Sequence, residues 1–254
     1  MVLVQSRSPH RLSEFLEEPP HALRAQALAP RELQPNLPSA DGWGVAWYPE
    51  AEPEPAAYHT VIPMWRDPNL HTLTPHVGAP QFIAATRVAT GTSELALPNV
   101  QPFVSGRVSF AHNGELVDFD RAFLPLVRAR LSDASQSVPR GATDSAHLFA
   151  LFLDALGRGL SEAADQLVAV VRELCDRVER GAMLNVLASD GADAIAIRYA
   201  TPGMRHPSLY WRNLASGIVV ASEALDDDAS WRTVAKNTRL SFRGGELVDT
   251  RVIE

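Results

Sequence analysis

The sequence contains one cysteine, Cys175, and one lysine, Lys236. A single cysteine excludes an internal disulfide and a cysteine-rich zinc site. The remaining basic residues are arginines scattered along the chain, and the net charge is −7. A mildly acidic chain without a basic stripe is poorly suited to binding nucleic acid. We therefore expect neither a disulfide framework nor a nucleic-acid partner.

Long apolar runs are also missing. No stretch approaches the roughly 20 apolar residues that span a bilayer. The first residues, MVLVQSRSPHR, lack the charged and then apolar segments of a secretory signal. The eight histidines include no HExxH motif and no two that are four residues apart, so we expect no metal and no other cofactor. The interpretation is a soluble, cytoplasmic protein without a membrane partner.

The composition is that of a globular protein, with 46% hydrophobic and 21% charged residues. Two adjacent helices are predicted, one following residues 143–145 (TDS) and one from about 161 to 180, where apolar residues recur every three or four positions. A short earlier helix is predicted over 11–16. Polar stretches at 49–56 and 132–142 predict exposed loops.

Short apolar segments on both sides of the helical pair predict strands. They lie at 44–48, 82–86, 108–112, 184–189, 194–199, 209–212, 218–222 and 238–242. Strands followed by two helices and then more strands do not form the strict alternation of a doubly wound sheet. The order favours an α+β fold in which helices pack on antiparallel sheets.

Two segments with small or polar residues lie at predicted strand ends in the first half of the chain. Residues 41–44 (DGWG) are either a hairpin turn or a place where another backbone approaches closely. Arg87 ends an otherwise buried strand and has hydroxyl residues on both sides. It is either an ordinary salt-bridged arginine or a fork that binds a substrate carboxylate with two parallel hydrogen bonds.

Two further segments offer similar alternatives. Asn113-Gly114 follows an apolar strand and His112, and this dipeptide is typical of a type I′ turn. The functional alternative is an oxyanion hole made by the Asn113 amide and the Gly114 backbone N–H. Asp144, in residues 141–145 (GATDS), lies in a helix N-cap segment or binds the ammonium group of an amino-acid substrate.

Each segment is weak evidence alone, but their order is informative. The chain carries GWGVAWY at 42–48, TRVATG at 86–91, NVQPF at 99–103, AHNG at 111–114 and TDS at 143–145. In this order the segments resemble the class II glutamine amidotransferase family, and most of all its ergothioneine-biosynthesis amidohydrolase branch. PMWRDPNL at 63–70, VASE at 220–223, DDD at 226–228 and Trp231 also resemble that branch. The resemblance covers about residues 9 to 242.

The resemblance implies a four-layer αββα sandwich with an N-terminal nucleophile, formed by a single glutamine amidotransferase type 2 domain over residues 1–254. It also implies roles around one γ-glutamyl group. These are Arg87 and Thr90 for its α-carboxylate, Asp144 for its α-ammonium, Asn113 and Gly114 for the oxyanion hole, and Trp43 and Gly44 for the lining near the N-terminus.

The start of the chain departs from the family pattern. The family nucleophile is a cysteine directly after the initiator methionine, whose freed α-amine serves as general base. This chain reads Met1-Val2-Leu3-Val4 instead. When the Ser-Pro at 8–9 is aligned with the family, Met1 falls near the family's arginine. Either the gene start was placed a few codons late, or the nucleophile has been lost, or another residue replaces it.

Three functions are compatible with the resemblance. The first is an enzyme that hydrolyses a γ-glutamyl amide, with γ-glutamyl-hercynylcysteine sulfoxide of ergothioneine biosynthesis as the implied substrate. The second is an inactive protein that binds glutamate or γ-glutamyl ligands. A third is the glutaminase subunit of an amidotransferase, which needs a synthase on a separate chain. All three have a small γ-glutamyl molecule as ligand. The sequence indicates neither a synthase partner nor a homo-oligomer.

Overall fold

The computed structural model describes residues 1–32, 37–88, 95–138 and 141–253. Helices run over Ser13–Leu16 (α1), Leu23–Leu28 (α2), Leu70–Leu73 (α3), Leu124–Arg130 (α4), Asp144–Asp154 (α5) and Leu160–Val178 (α6). Strands run over Val2–Arg11 (β1), Trp43–Trp47 (β2), Ala56–Thr60 (β3), Gly78–Thr86 (β4), Phe103–Ser105 (β5), Val108–Leu116 (β6), Ala182–Ser189 (β7), Asp193–Ala200 (β8), Tyr210–Asn213 (β9), Gly217–Ala221 (β10), Arg232–Thr233 (β11), Thr238–Arg243 (β12) and Glu246–Val252 (β13).

The strands form two sheets, and every pairing is antiparallel. Sheet A has the order β11-β9-β10-β1-β4-β2-β3, and sheet B has the order β13-β12-β8-β7-β6-β5. In sheet A the first strand is central, with Val2 opposite both Ala221 of β10 and Ala84 of β4. In sheet B, β6, β7 and β8 are consecutive neighbours. The predicted antiparallel sheets are therefore present.

Alternation along the strands creates three hydrophobic layers. In β1, Val2 and Val4 face α1 and α2, whereas Met1 and Leu3 face the other sheet. In β7, Leu184 and Val186 pack on the helical layer of α4, α5 and α6, whereas Leu187 faces sheet A. Side chains on a strand point alternately to opposite faces, so each sheet is covered on both sides. The result is the αββα sandwich predicted from the family resemblance.

The two long helices are close to their predicted positions. Thr143 caps α5, since its Oγ1 accepts a hydrogen bond from the Ala146 amide at 3.2 Å. Helix α6 buries one apolar face, including Leu167, Val171 and Leu174. It ends at Val178, where Glu179 takes a left-handed conformation with φ of 54°. The predicted end near residue 180 is therefore two residues late.

The predicted bounds of one helix and two strands need correction. The early helix covers only 13–16, because the residues before it belong to β1. The strand predicted over 108–112 continues to Leu116, so the dipeptide at 113–114 is not a turn. The strand predicted over 82–86 begins at Gly78. Within the part of the chain that the structure describes, no helix has the length and apolar character needed to cross a bilayer.

Candidate active site

The first residue of the printed chain lies inside the fold. The ladder between β1 and β10 continues past Val2, since the Ser222 amide donates to the Met1 carbonyl oxygen at 3.0 Å. The α-amino nitrogen of Met1 donates to Oγ of Ser222 at 2.8 Å. The Met1 side chain is 5% exposed and packs in the layer between the sheets. Met1 therefore lies at the end of the central strands of sheet A, where β4 and β10 both terminate; this end of the strands is the edge of the sheet that contains the candidate site.

The environment of this α-amine changes its protonation. Burial lowers its pKa from 8.0 to about 5, and the negative charge of Glu223 opposes the shift only in part. The charged form is disfavoured because the ammonium loses its hydration inside the protein. At pH 7 the amine of a chain that begins at Met1 is neutral and can accept a proton.

For protein that begins at Met1, we expect the free energy of unfolding to rise between pH 7 and 8.5. The amine has a pKa of 8.0 when unfolded and about 5 when folded. The unfolded chain therefore holds a proton at pH 7 that the folded chain lacks, and this proton is lost as the pH rises. The gain is about 1 kcal/mol, measurable by urea unfolding at both pH values. N-terminally acetylated protein is the control, and an equal rise in it would contradict the assignment.

Arg87 lies at the same edge, on a continuation of the β2–β4 ladder. Its amide donates to the Gly42 carbonyl oxygen at 2.9 Å, and its carbonyl oxygen accepts from the Asp41 amide at 3.1 Å. Ala85, two residues earlier, faces the layer between the sheets, and residues two apart share a face. Burial lowers the pKa of Arg87, with Asp41 opposing the shift. Thr90, predicted to assist Arg87, lies outside the described residues.

Asn113 and Gly114 lie within β6, in register with Asn185 and Leu184 of β7. Asn113 is two residues after Ala111, which faces the layer between the sheets, so the two side chains share that face. At position 114 a Cβ would collide with the Met183 carbonyl oxygen and lie 2.7 Å from Nε2 of His112. Glycine is therefore needed there for packing, independently of any catalytic role.

Asp144 is the first residue of α5 and is connected to the end of β6. Its Oδ2 accepts from the Leu116 amide at 3.0 Å, and its Oδ1 accepts from the Ser145 amide at 2.7 Å. The residue remains half-buried, so the carboxylate is not closed off from a ligand. The predicted helix-cap segment is confirmed, and the same position puts a negative charge next to the strand that carries Asn113.

His112 connects the same two elements from the other face of β6. Its Nδ1 is 2.9 Å from Oγ of Ser145, which in turn donates to Asp144 at 3.2 Å. Burial lowers the pKa of His112, and the nearby Asp144 carboxylate and Met183 carbonyl oppose this shift. A buried imidazole packed between β6 and α5 acts as a structural link. It orients Ser145 and the Asp144 carboxylate.

A short segment, residues 99–101, brings the separate motifs together. The Gln101 side chain pairs with the backbone of His112, donating to its carbonyl oxygen at 3.0 Å. The Gln101 carbonyl oxygen approaches Gly44 so closely that a Cβ there would lie 2.6 Å away. On the other side, Gly141 packs directly against the Asn99 side chain. The motifs at 41–44, 111–114 and 141–145 therefore all border this segment, and Arg87 joins through Gly42.

Trp43 differs from the predicted arrangement in one respect. Its indole is fully buried in the outer layer between sheet A and its helices, away from the layer that contains Met1. Its Nε1 donates to Oδ2 of Asp67 at 3.0 Å, and the Tyr58 hydroxyl donates to the same oxygen at 2.9 Å. Asp67 belongs to the motif at 63–70, whose role is thus to hold Trp43. Only the backbone of Trp43 is available to the inner face, where Gly44 lies.

The C-terminal motif at 220–223 also borders Met1. Ser222 holds the Met1 backbone, and the buried Glu223 carboxylate is 2.7 Å from Nε2 of His21. Glu223 also accepts from the backbone amides of Arg31 and Glu32, at 2.9 and 3.1 Å. The sequence marked this motif by resemblance but gave no role for either residue. The signal available in the sequence was a serine and a glutamate directly after an apolar strand segment.

Other chemistry is not supported at this edge. Cys175 is buried in α6, and burial raises the pKa of its thiol to about 11, so it is not a thiolate at neutral pH. The described ranges contain no group of three or more histidine, cysteine or carboxylate side chains placed to hold a metal ion. The chemistry available is a cation, an anion, amide donors and a backbone terminus.

Comparisons with known proteins identify the family. The family model for class II glutamine amidotransferases matches residues 22–202. Gamma-glutamyl-hercynylcysteine sulfoxide hydrolase from Mycobacterium tuberculosis is 34% identical, over 88% of this chain and 84% of the relative. The hydrolase of the same name from Mycolicibacterium smegmatis is 28% identical, over 96% and 95%.

A solved structure extends the agreement to the fold. The glutamine aminotransferase class-II domain protein from Silicibacter pomeroyi superposes with a TM-score of 0.70 over 99% of this chain and 98% of that one, at 24% identity. Because the family model covers well over half of the sequence and the fold matches throughout, this chain belongs to the class II glutamine amidotransferase family.

Proposed function

We propose that this chain is a single glutamine amidotransferase domain that hydrolyses the γ-glutamyl amide bond of γ-glutamyl-hercynylcysteine sulfoxide in ergothioneine biosynthesis, in the cytoplasm. The names of the two mycobacterial relatives support the substrate. The observation that carries the proposal is the meeting of four separate sequence motifs around residues 99–101. An antiparallel sandwich alone does not require these motifs to meet.

The two ends of the glutamate head define the binding step. The Arg87 guanidinium binds the α-carboxylate through two parallel N–H donors, with Thr90 assisting. The Asp144 carboxylate binds the α-ammonium. Gly44 and the backbone of Trp43 line the pocket, and the absence of a side chain at position 44 lets the Gln101 backbone approach. Opposite charges on the two sides of the ligand select an amino acid whose α-carboxylate and α-ammonium groups are both free.

The reaction itself needs a thiol and oxyanion donors. A cysteine preceding Met1 supplies the thiol, and its own α-amine takes the thiol proton. The sulfur attacks the γ-carbonyl carbon, and the oxygen that becomes negative accepts hydrogen bonds from Asn113 and the Gly114 amide. Each such donor contributes about 3–4 kcal/mol to the transition state. The proton passes to the leaving amine, and water then hydrolyses the thioester.

A second function is favoured by one observation. The printed chain begins Met1-Val2, and Cys175 is its only cysteine. A chain without a thiol at this edge keeps the charged clamp but lacks the nucleophile. It would bind glutamate or a γ-glutamyl compound and not turn it over. The two functions share one pocket and differ only in the reaction.

Binding calorimetry on the printed chain tests the shared pocket. We expect saturable one-to-one binding of L-glutamate and of a γ-glutamyl amide. N-acetyl-L-glutamate is the matched control, because it has no ammonium for Asp144, and it should bind at least tenfold more weakly. If no γ-glutamyl compound gives a binding signal, both functions are excluded. If N-acetyl-L-glutamate binds equally well, the role of Asp144 is excluded.

A further inference from the structure

Asn185 is a polar residue within the apolar strand β7. It is fully buried, between Leu184 and Val186 in sequence. Its Nδ2 donates to the Ser208 carbonyl oxygen at 2.6 Å. Its Oδ1 has no hydrogen-bond partner in the described structure. A buried acceptor without a partner is costly, so its presence at this position calls for a function.

The orientation of this carboxamide is fixed. A carbonyl oxygen only accepts hydrogen bonds, so the NH2 group of Asn185 must face Ser208 and Oδ1 must point the other way. Ser208 is itself held, because its Oγ donates to the Ser222 carbonyl oxygen at 2.8 Å. Ser222 in turn binds the Met1 backbone. Asn185 is thereby connected through two serines to the edge where Met1 lies.

The neighbours across the sheet identify the donor that Oδ1 can serve. Asn185 is in register with Asn113 on one side and with Arg198 on the other. Directly opposite side chains have Cβ atoms about 5 Å apart. Arg198 donates to the Pro207 and Val234 carbonyl oxygens and makes no hydrogen bond to Oδ1 of Asn185. Asn113 has two N–H donors on one nitrogen and can therefore serve two acceptors at once.

We propose that Asn185 is a positioning residue whose Oδ1 accepts one N–H of Asn113, so that the second N–H faces the oxyanion. The proposal rests on the function proposed above. In the proposal, the Asn113 side chain rotates to complete this hydrogen bond, and catalytic hydrogen bonds commonly tighten when substrate binds. Without it the Asn113 amide can flip, and its oxygen would then face and repel the developing negative charge.

A double-mutant cycle tests this in protein with Met-Cys placed ahead of Met1. We expect Asn113→Ala to lower kcat about 100-fold and Asn185→Ala about tenfold, each with KM changed less than twofold. Because Asn185 acts through Asn113, adding Asn185→Ala to Asn113→Ala should lower kcat no further. An equal tenfold loss in both backgrounds would mean that Asn185 has a merely structural role, and the proposal would fail.

The matched control is Thr238→Val, which is a nearly isosteric change at a buried position. Thr238 is directly opposite Arg198 on β12, just as Asn185 is directly opposite Arg198 on β7. We expect it to leave kcat unchanged, with thermal unfolding confirming that each variant is folded. A tenfold loss of kcat in Thr238→Val would show that kcat falls after any buried substitution next to Arg198. That result would also overturn the role of Asn185.

A second measurement does not depend on turnover, and its deciding comparison is made on the parent chain. In the side-chain amide NMR spectrum of the printed chain, with and without L-glutamate, one Asn113 proton should exchange slowly with water and the other quickly. Asn185→Ser should equalise them. Equal exchange in the parent chain in both conditions overturns the positioning role. A slow proton together with no hydrolysis by the Met-Cys protein overturns only the proposed enzymatic function.

Discussion

Placing Met-Cys ahead of Met1 is expected to give a protein that releases glutamate from γ-glutamyl amides at least 1,000-fold faster than the printed chain, since removing a catalytic nucleophile typically costs that much or more. The alignment of the family pattern puts the thiol at this position. Met1 lies between the sheets beside Ser222, so a residue directly ahead of it begins at the edge that also holds Arg87.

The matched control carries Met-Ala in place of Met-Cys, which gives the same length and backbone without the thiol. Mass spectrometry should show that the initiator methionine is removed in both, because the freed α-amine acts as the base. Hydrolysis by the Met-Ala protein at the Met-Cys rate would exclude the N-terminal thiol as nucleophile. Binding by both proteins with turnover by neither would leave the binding function as the correct one.

The second large effect is expected from Arg87→Ala. Removing the guanidinium leaves the ligand α-carboxylate buried without its partner, and we expect the binding free energy of L-glutamate to weaken by about 3 kcal/mol, more than a hundredfold in Kd. The affinity of Arg87→Lys for L-glutamate should lie between those of the parent chain and Arg87→Ala, because an ammonium keeps the charge but cannot form the two parallel hydrogen bonds. Calorimetry on the printed chain measures all three.

Arg107→Ala is the control for loss of an arginine. Arg107 is exposed, donates to the Asp190 carbonyl oxygen and precedes the start of β6, at the opposite end of that strand from Asn113. We expect its Kd for L-glutamate to stay within twofold of the parent. If Arg87→Ala binds L-glutamate as tightly as Arg107→Ala does, Arg87 is an ordinary buried arginine and the charged clamp is wrong.

The sequence predicted the internal strands and the two long helices because their burial has a regular period. The first strand was missed for a physical reason. Its first half, Val2 to Val4, is buried on both faces, and its second half is mostly exposed beyond an irregularity between Gln5 and His10. In neither half do apolar and polar residues alternate, so the sequence shows no period of two residues there. The strand β13 was missed because, as an edge strand, most of its residues are exposed.

The sequence names candidate site residues, which stay a prediction, but it could not supply their geometry. Asn113-Gly114 favours a turn locally, and the continuous ladder with β7 overrides that preference. The burial of the Trp43 indole in the outer layer depends on Asp67, which only the folded chain brings within reach. In the sequence, Asn185 is only one amide side chain within an apolar strand. Its proposed role depends on the register that places it opposite Asn113, and this register is known only from the structure.

The central place of β1 has a consequence for how the protein is made. The strand β1 pairs with β4 on one side and, on the other, with β10, which comes much later in the sequence. Sheet A therefore stays incomplete until β10 has been synthesised, whereas β6, β7 and β8 pair in order as they emerge. Until then the nascent chain carries an apolar strand that is paired on one side at most, and exposed apolar strands of this kind are prone to aggregation.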